Sequence, residues 1–212
     1  MGKYCGVESD AFTWSTNYFK IITSGEGGIF FTSDEMGYQN ALYQSDPTMY
    51  LWDTNFDLGD TRPFCRAGYR GNELVSAVLR VQLKRIEPVL QKTRANRSVL
   101  VSHLNAGQNY QLQHVDDPEG DASISFGLIS GAFPDRHLYM HWDAILNKTG
   151  ATDRGYPWKD PAYLGNVEYS VDMCPNILDI LPRTLKFGIN AEMTEQNMIE
   201  IADAINKVDA RI

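Results

Sequence analysis

The segment Gly25-Glu26-Gly27-Gly28 constrains the fold of this chain more than any other. Glycine takes positive φ without a steric penalty, so glycines clustered this densely mark a tight turn. Stiff, β-prone runs flank it: Phe12 to Ser15 and Gly28 to Thr32 read as two short strands. Between them runs Asn17-Tyr18-Phe19-Lys20-Ile21-Ile22-Thr23-Ser24. A lysine that closes an apolar segment and enters a Gly-rich turn can be held at one spot in a cleft. Partial burial there would disfavour the ammonium form of Lys20, and a neutral amine attacks carbonyls, as a Schiff-base lysine must. The plain alternative is a solvated lysine beside a turn. The glycines do not form a phosphate loop, because the Lys-Ser/Thr ending is missing and no helical pattern directly follows. Glu26 is placed to accept backbone hydrogen bonds within the turn.

An ordered set of blocks surrounds this lysine: Gly2-Lys3-Tyr4-Cys5-Gly6, Asp10, Trp14-Ser15-Thr16, Lys20, Gly25 to Gly28 and Ile29-Phe30-Phe31-Thr32. Further on come Tyr69-Arg70-Gly71-Asn72-Glu73-Leu74 and Ile189-Asn190-Ala191-Glu192-Met193-Thr194-Glu195. Together they resemble the DegT/DnrJ family of pyridoxal-phosphate (PLP) aminotransferases, which act on nucleotide-linked keto-sugars and related keto-cyclitols. The resemblance implies an α/β fold: the remnant of a fold-type I PLP-transferase large domain, residues 1–88, then a small α/β domain, residues 89–212. It implies that Lys20 is catalytic and holds PLP, that Ser15 binds the cofactor phosphate, and that Asn17 lies near the cofactor. An amino acid such as glutamate or glutamine is the implied donor, and a homodimer sharing its sites is the implied assembly. Lysine at position 20 points to transamination, since the family's dehydratase branch has histidine there.

The same resemblance identifies the chain as the carboxyl-terminal portion of such an enzyme. The acidic partner of the PLP ring nitrogen, the ring-stacking aromatic and the amino-terminal phosphate loop would all lie upstream. A truncated gene model, one half of a split enzyme and a non-catalytic remnant are the three expectations, and Met1 need not be the true start. One departure stands out. Where the family places an Asn that reaches the partner subunit's phosphate, this chain has Gly68. Arg66 or Arg70 could supply the replacement charge, or Arg70 could simply pair with an acidic neighbour such as Glu73.

With 212 residues, 43% hydrophobic and 22% charged, the chain has the composition of a soluble globular protein. A formal net charge of −8 argues against nucleic-acid and acidic-membrane partners, which need clustered Lys and Arg. Cys5, Cys65 and Cys174 are odd in number and far apart, fitting neither a disulfide framework nor a zinc site but suiting a cytoplasmic protein. No apolar run is long enough to span a membrane, and no signal-peptide pattern opens the chain. The sequons at Asn96 and Asn147 are then expected to stay unused.

Elsewhere, Thr32-Ser33-Asp34-Glu35 has a capping-box pattern predicting a helix to about Gln44. Gln44 to Cys65 reads as a long loop, in which Trp52 and Asp53 either line a site or sit on an ordinary surface. Helical spacing of Val75, Leu79, Leu83, Ile86 and Leu90 predicts a long helix from Asn72, kinked at Pro88 and running on through Leu104. Asn105 to Asp121 is acidic and polar, a solvated turn rather than a calcium loop. Ala122 to Ala132 is β-prone. Helices are expected from Pro134 to about Asn147, within Met173 to Leu185 (begun near Pro175 and interrupted by Pro182), and after the N-cap Thr194. His137 and His141 are four apart, a spacing able to bind metal, yet no Cys or carboxylate ligands accompany them. Phe12 and Trp14 are expected in the core.

Overall fold

The computed structural model describes residues 6–48, 68–117, 120, 124–129, 138–150 and 155–211. It mixes helices with antiparallel strands and divides into two compact units, Met1–Leu90 and Gln91–Ile212.

In the first unit, Ala11–Ser15 (β1) and Gly28–Thr32 (β2) pair antiparallel, with Ala11 opposite Thr32 and Ser15 opposite Gly28. Alternation puts Phe12 and Trp14 on one face, and register puts Phe31 directly across from Phe12. The three rings cluster there, with centroids 4.8 Å (Phe12 to Phe31) and 5.3 Å (Phe12 to Trp14) apart. Trp14 nonetheless stays half exposed, against the expectation of a core residue. A two-stranded sheet has no second layer of its own to cover a side chain that large.

Helix α1 covers Glu35–Ser45. Its cap is Asp34, whose Oδ2 accepts from the Gly37 N–H at 2.6 Å. Thr32 does not act as the cap: its hydroxyl donates to the Asp10 carbonyl (2.7 Å) and accepts from the Asp34 N–H (3.1 Å), tying the start of β1 to the end of β2. Helix α2, Glu73–Leu83, is capped by the Asn72 side chain, which accepts from the Leu74 N–H at 2.8 Å. The predicted long helix breaks at Lys84-Arg85 rather than kinking at Pro88, and helix α3 runs Ile86–His103. Pro88 therefore sits in the first turn of α3, where its missing N–H would have no intrahelical partner anyway.

In the second unit, Tyr110–Leu112 (β3), Ile124–Leu128 (β4) and Thr184–Phe187 (β5) form an antiparallel sheet in the order β3-β4-β5. The core joins Leu100 of α3, Tyr110 of β3, Phe126 of β4 and Ile189 to the last helix, whose Met198 and Ala202 are fully buried. Tyr110 meets Phe126 edge to face at 5.3 Å. Between β4 and β5 lie the one-turn helix α4 (Asp143–Leu146) and helix α5 (Pro175–Ile180). The last helix, α6 (Glu195–Asp209), opens on Thr194 with a reciprocal capping box to Asn197.

Two predicted helices are corrected. The described part of the Pro134 to Asn147 segment is a 3-10 turn (Tyr139–His141) and then α4, because Trp142 leaves helical backbone at φ −92°, ψ 66°. His141 sits in that turn, and His137 lies outside the described residues. The helix expected within Met173 to Leu185 starts at Pro175 and is interrupted around Pro182 by a 3-10 turn, as expected, but it does not reach Leu185, since Thr184 and Leu185 belong to β5.

Polar side chains fasten this unit. Asn96, 1% exposed, donates from its amide to the carbonyls of Asn190 (3.2 Å) and Met193 (2.9 Å). That burial leaves no room for a glycan on this sequon. Asp209 accepts from the backbone N–H groups of Gln108 and Asn109, both at 2.9 Å, fixing the end of α6 to the approach to β3. Those two bonds hold its carboxyl below the usual range, against partial desolvation.

Candidate functional site

The strand β1 ends at Ser15, and the chain turns at once. Ser15 Oγ accepts from the Asn17 N–H at 3.3 Å, and the Asn17 carbonyl accepts from the Lys20 N–H at 3.0 Å. The three residues singled out by the sequence thus follow one another along a single hydrogen-bonded turn at the mouth of the β1–β2 pair. Beneath that turn lies a small buried polar cluster. Thr16, 4% exposed, donates its N–H to the Gly27 carbonyl (2.9 Å), and its carbonyl accepts from the Ser24 N–H (3.0 Å). Ser24 Oγ lies 3.0 Å from Thr16 Oγ1, and Asn17 bridges in parallel to Gly25. The loop that carries Lys20 is therefore closed at its base by Thr16, Ser24 and Gly27.

Two glycines make that closure possible. Gly25 has φ +91° and Gly27 φ +138°, both in the region that penalises a Cβ. A Cβ on Gly27 would fall 2.9 Å from Thr16 Oγ1, whereas one on Gly25 would meet nothing within 4 Å. Gly28 has no positive φ, but its Cβ would come within 2.9 Å of the Trp14 carbonyl. The part of Glu26 that accepts a bond is its own carbonyl, from Ser24 Oγ at 3.2 Å.

Lys20 is exposed, as is Ser15, so the partial burial expected of a neutral amine is not found among the described residues. Its neighbours Tyr18 and Phe19 are 64% and 77% exposed and stack on one another at 3.8 Å. Asn17 is half-buried, and its Oδ1 is shut off from water with no donor among the described residues. Buried acceptors are normally satisfied, so its donor lies beyond the described residues. The turn thus carries an exposed amine and a hydroxyl, groups able to condense with an aldehyde and to donate to a phosphate oxygen, beside an amide oxygen that needs a donor.

Arg70 lies elsewhere in the first unit. Its Nε sits 3.1 Å from Asp46 Oδ2 and its Nη2 3.4 Å from Thr48 Oγ1, so its acidic partner is Asp46 and not Glu73. The Thr48 hydroxyl and N–H, with Arg70 beyond them, hold the Asp46 carboxyl below its usual range. Gly2 to Cys5, Trp52, Asp53, Cys65 and Arg66 lie outside the described residues. No group of three or more His, Cys, Asp or Glu able to hold a metal occurs among the described residues. None of the described helices is long and apolar enough to cross a membrane. Sequence reasoning missed Thr16, Ser24 and Asp46. Only the unusual density of small hydroxyl residues around the glycines hinted at the first two.

Solved aminotransferases share this fold. The aminotransferase TlmJ from Streptoalloteichus hindustanus superposes with a TM-score of 0.61 at 18% identity, covering 99% of this chain and 54% of that one. 3-Amino-5-hydroxybenzoic acid synthase gives 0.63 at 20% identity, covering 95% and 55%. Helicobacter pylori PseC, an aminotransferase involved in pseudoaminic acid biosynthesis, gives 0.59 at 15% identity, covering 96% and 54%. The chain spans about half the length of these structures. Residues 1–206 match the DegT/DnrJ/EryC1/StrS aminotransferase family, and the chain belongs to it. Aminotransferases of this family bind PLP.

Proposed function

We propose that this chain carries the cofactor-anchoring part of a PLP-dependent aminotransferase that moves an amino group from an amino acid to a keto-sugar or keto-cyclitol. The observation that carries this reading is a family match over residues 1–206 combined with Lys20 presented on a turn fixed by buried hydrogen bonds. When bound, PLP supplies the electron sink that transamination needs. Lys20 Nζ would hold the cofactor through its aldehyde carbon, and the same amine would serve as the acid/base that moves a proton at the donor's α-carbon. Ser15 Oγ would donate to a phosphate oxygen, being short enough to let the phosphate approach the backbone. Asn17 would lie beside the cofactor on the same turn. Residues 1–88 are read as the large-domain portion and 89–212 as the small domain, in a cytoplasmic homodimer.

A second reading has its own support. The chain spans about half of the solved structures, and Tyr18 and Phe19 stand exposed beside Lys20. One half of a split enzyme, or a remnant without cofactor, would share these features. The test is to add PLP to the purified chain and follow visible absorption, then add glutamate or glutamine. A visible band that the amino acid bleaches with release of its keto acid supports the enzyme. Absence of any band overturns catalysis by this chain alone, and a band that appears only with a co-expressed upstream polypeptide identifies a split enzyme.

A further inference from the structure

Helix α2 carries apolar residues around more of its circumference than one neighbour can cover. Among the described residues of this helix none is fully buried. Val75, Leu79 and Gln82 recur at i, i+4 and i+7 and are its half-buried positions. That side faces the base of the Lys20 loop, since a Cβ on Gly27 would lie 3.7 Å from Val75 Cγ1. Leu74, Ala77, Val78 and Val81 recur at i, i+3, i+4 and i+7 and form a second stripe, turned outward. Leu74 is 78% exposed, Val81 60% and Val78 48%. A helix resting on one neighbour needs a single apolar stripe with polar residues opposite it. A second stripe of this size marks a second contact.

Charge on the flank of that stripe selects the contact. Glu73 stands in the first turn of α2 and Arg80 in the last, both beside Ala77 on the helix surface. They are two turns apart, about 10 Å along the axis, too far to pair within one helix. Neither has an ion-pair partner among the described residues. A second α2 laid antiparallel brings the partner subunit's Arg80 to Glu73 and the partner subunit's Glu73 to Arg80, so one arrangement meets both charges. A parallel arrangement sets like ends together and meets neither. We propose that the outward stripe of α2 is the contact between two copies of this chain, the helices packed antiparallel about a two-fold axis near Ala77 and Val78. Leu74 then packs against the partner subunit's Val81, and the small Ala77 lets the helix axes approach. The pairing gives the homodimer proposed above its contact surface and rests on that reading, but not on the role assigned to Lys20.

The test is sedimentation equilibrium of the full chain without PLP, and the parent is expected to be a dimer. Val78→Lys sets two like charges against each other at the two-fold and is expected to raise the dissociation constant by about a hundredfold. Val78 is already half exposed within the protomer, so the fold tolerates the change. Glu73→Arg and Arg80→Glu alone are each expected to weaken the dimer about tenfold, since two pairs turn repulsive in each. The double exchange is expected to return it to within about threefold of the parent, because both pairs re-form with their signs reversed. Single exchanges without effect, or a double exchange no better than the singles, overturn the antiparallel pairing. A parent dimer unmoved by Val78→Lys overturns this face as the contact and leaves the homodimer itself standing. A monomeric parent overturns both. Protection of the α2 amides from hydrogen exchange that appears only with a co-expressed upstream polypeptide gives the stripe to that polypeptide and also overturns self-pairing.

Discussion

Replacing Gly27 by alanine tests how the Lys20 loop is held. At φ +138° a residue with a Cβ is strained, by about 1–3 kcal/mol. The new methyl would also lie 2.9 Å from Thr16 Oγ1, inside a buried cluster, and displacing that hydroxyl removes its 3.0 Å bond with Ser24, worth about 1 kcal/mol. The total is roughly 2–4 kcal/mol. Gly25→Ala is the control: φ is again positive at +91°, but the methyl meets open space, so only the backbone strain applies. Hydrogen exchange at the Thr16 and Ser24 amides, which bond to the Gly27 and Thr16 carbonyls, reads the opening of the loop base directly. Both variants should exchange faster than the parent. Gly27→Ala should exceed Gly25→Ala by about fivefold, the equivalent of about 1 kcal/mol. In a Thr16→Ala background, which removes the hydroxyl, that excess should vanish. An excess that persists without the hydroxyl, or a Gly25→Ala variant that opens as readily, would refute the assignment of Thr16 as the contact.

Other consequences follow from the second unit. Asn96→Leu strips the donors from the Asn190 and Met193 carbonyls, and urea unfolding should show a loss of about 2–4 kcal/mol; a midpoint within error of the parent would contradict this role. Met198→Ala empties a fully buried site in α6 and should lose about 2–5 kcal/mol in the same assay. Asp209 has a folded-state pKa below its unfolded value, so its contribution is fully present above the ordinary carboxylate range and is lost as pH falls through the folded value. Asp209→Asn should accordingly lower the thermal midpoint at neutral pH, with the gap to the parent closing only below about pH 4. A gap constant down to pH 2, within the roughly two units spanned by such titrations, would remove the carboxylate from the account.

What the sequence made legible was local. The strand Gly28–Thr32 follows from a β-prone run set off by glycines, and α6 from a Thr cap followed by apolar residues at helical spacing. Ser15, Asn17 and Lys20 fall on one turn because they are neighbours in the chain. What stayed hidden depended on distant partners. Strand β3 is three residues long in a polar stretch, and only pairing with β4 makes it a strand. Strand β5 continues an apolar run that reads as helix until Pro182, and its burial does not alternate. Arg70 pairs with Asp46 because the chain returns beside the end of α1, where Tyr69 also donates its N–H to the Ser45 carbonyl. Nearness in sequence, which suggested Glu73, carries no such information. Exposure of Lys20 was likewise unreadable, since a lysine entering a turn has the same local sequence in a cleft or on a surface.

The central claim is that the Lys20 amine is where PLP attaches. Borohydride reduction of the PLP-treated chain, followed by peptide mapping, measures this directly. The pyridoxyl group should sit on Lys20 at near-stoichiometric yield, tryptic cleavage there should fail, and Lys20→Arg should abolish the adduct. A label scattered over other surface lysines and unchanged in Lys20→Arg would contradict the assignment.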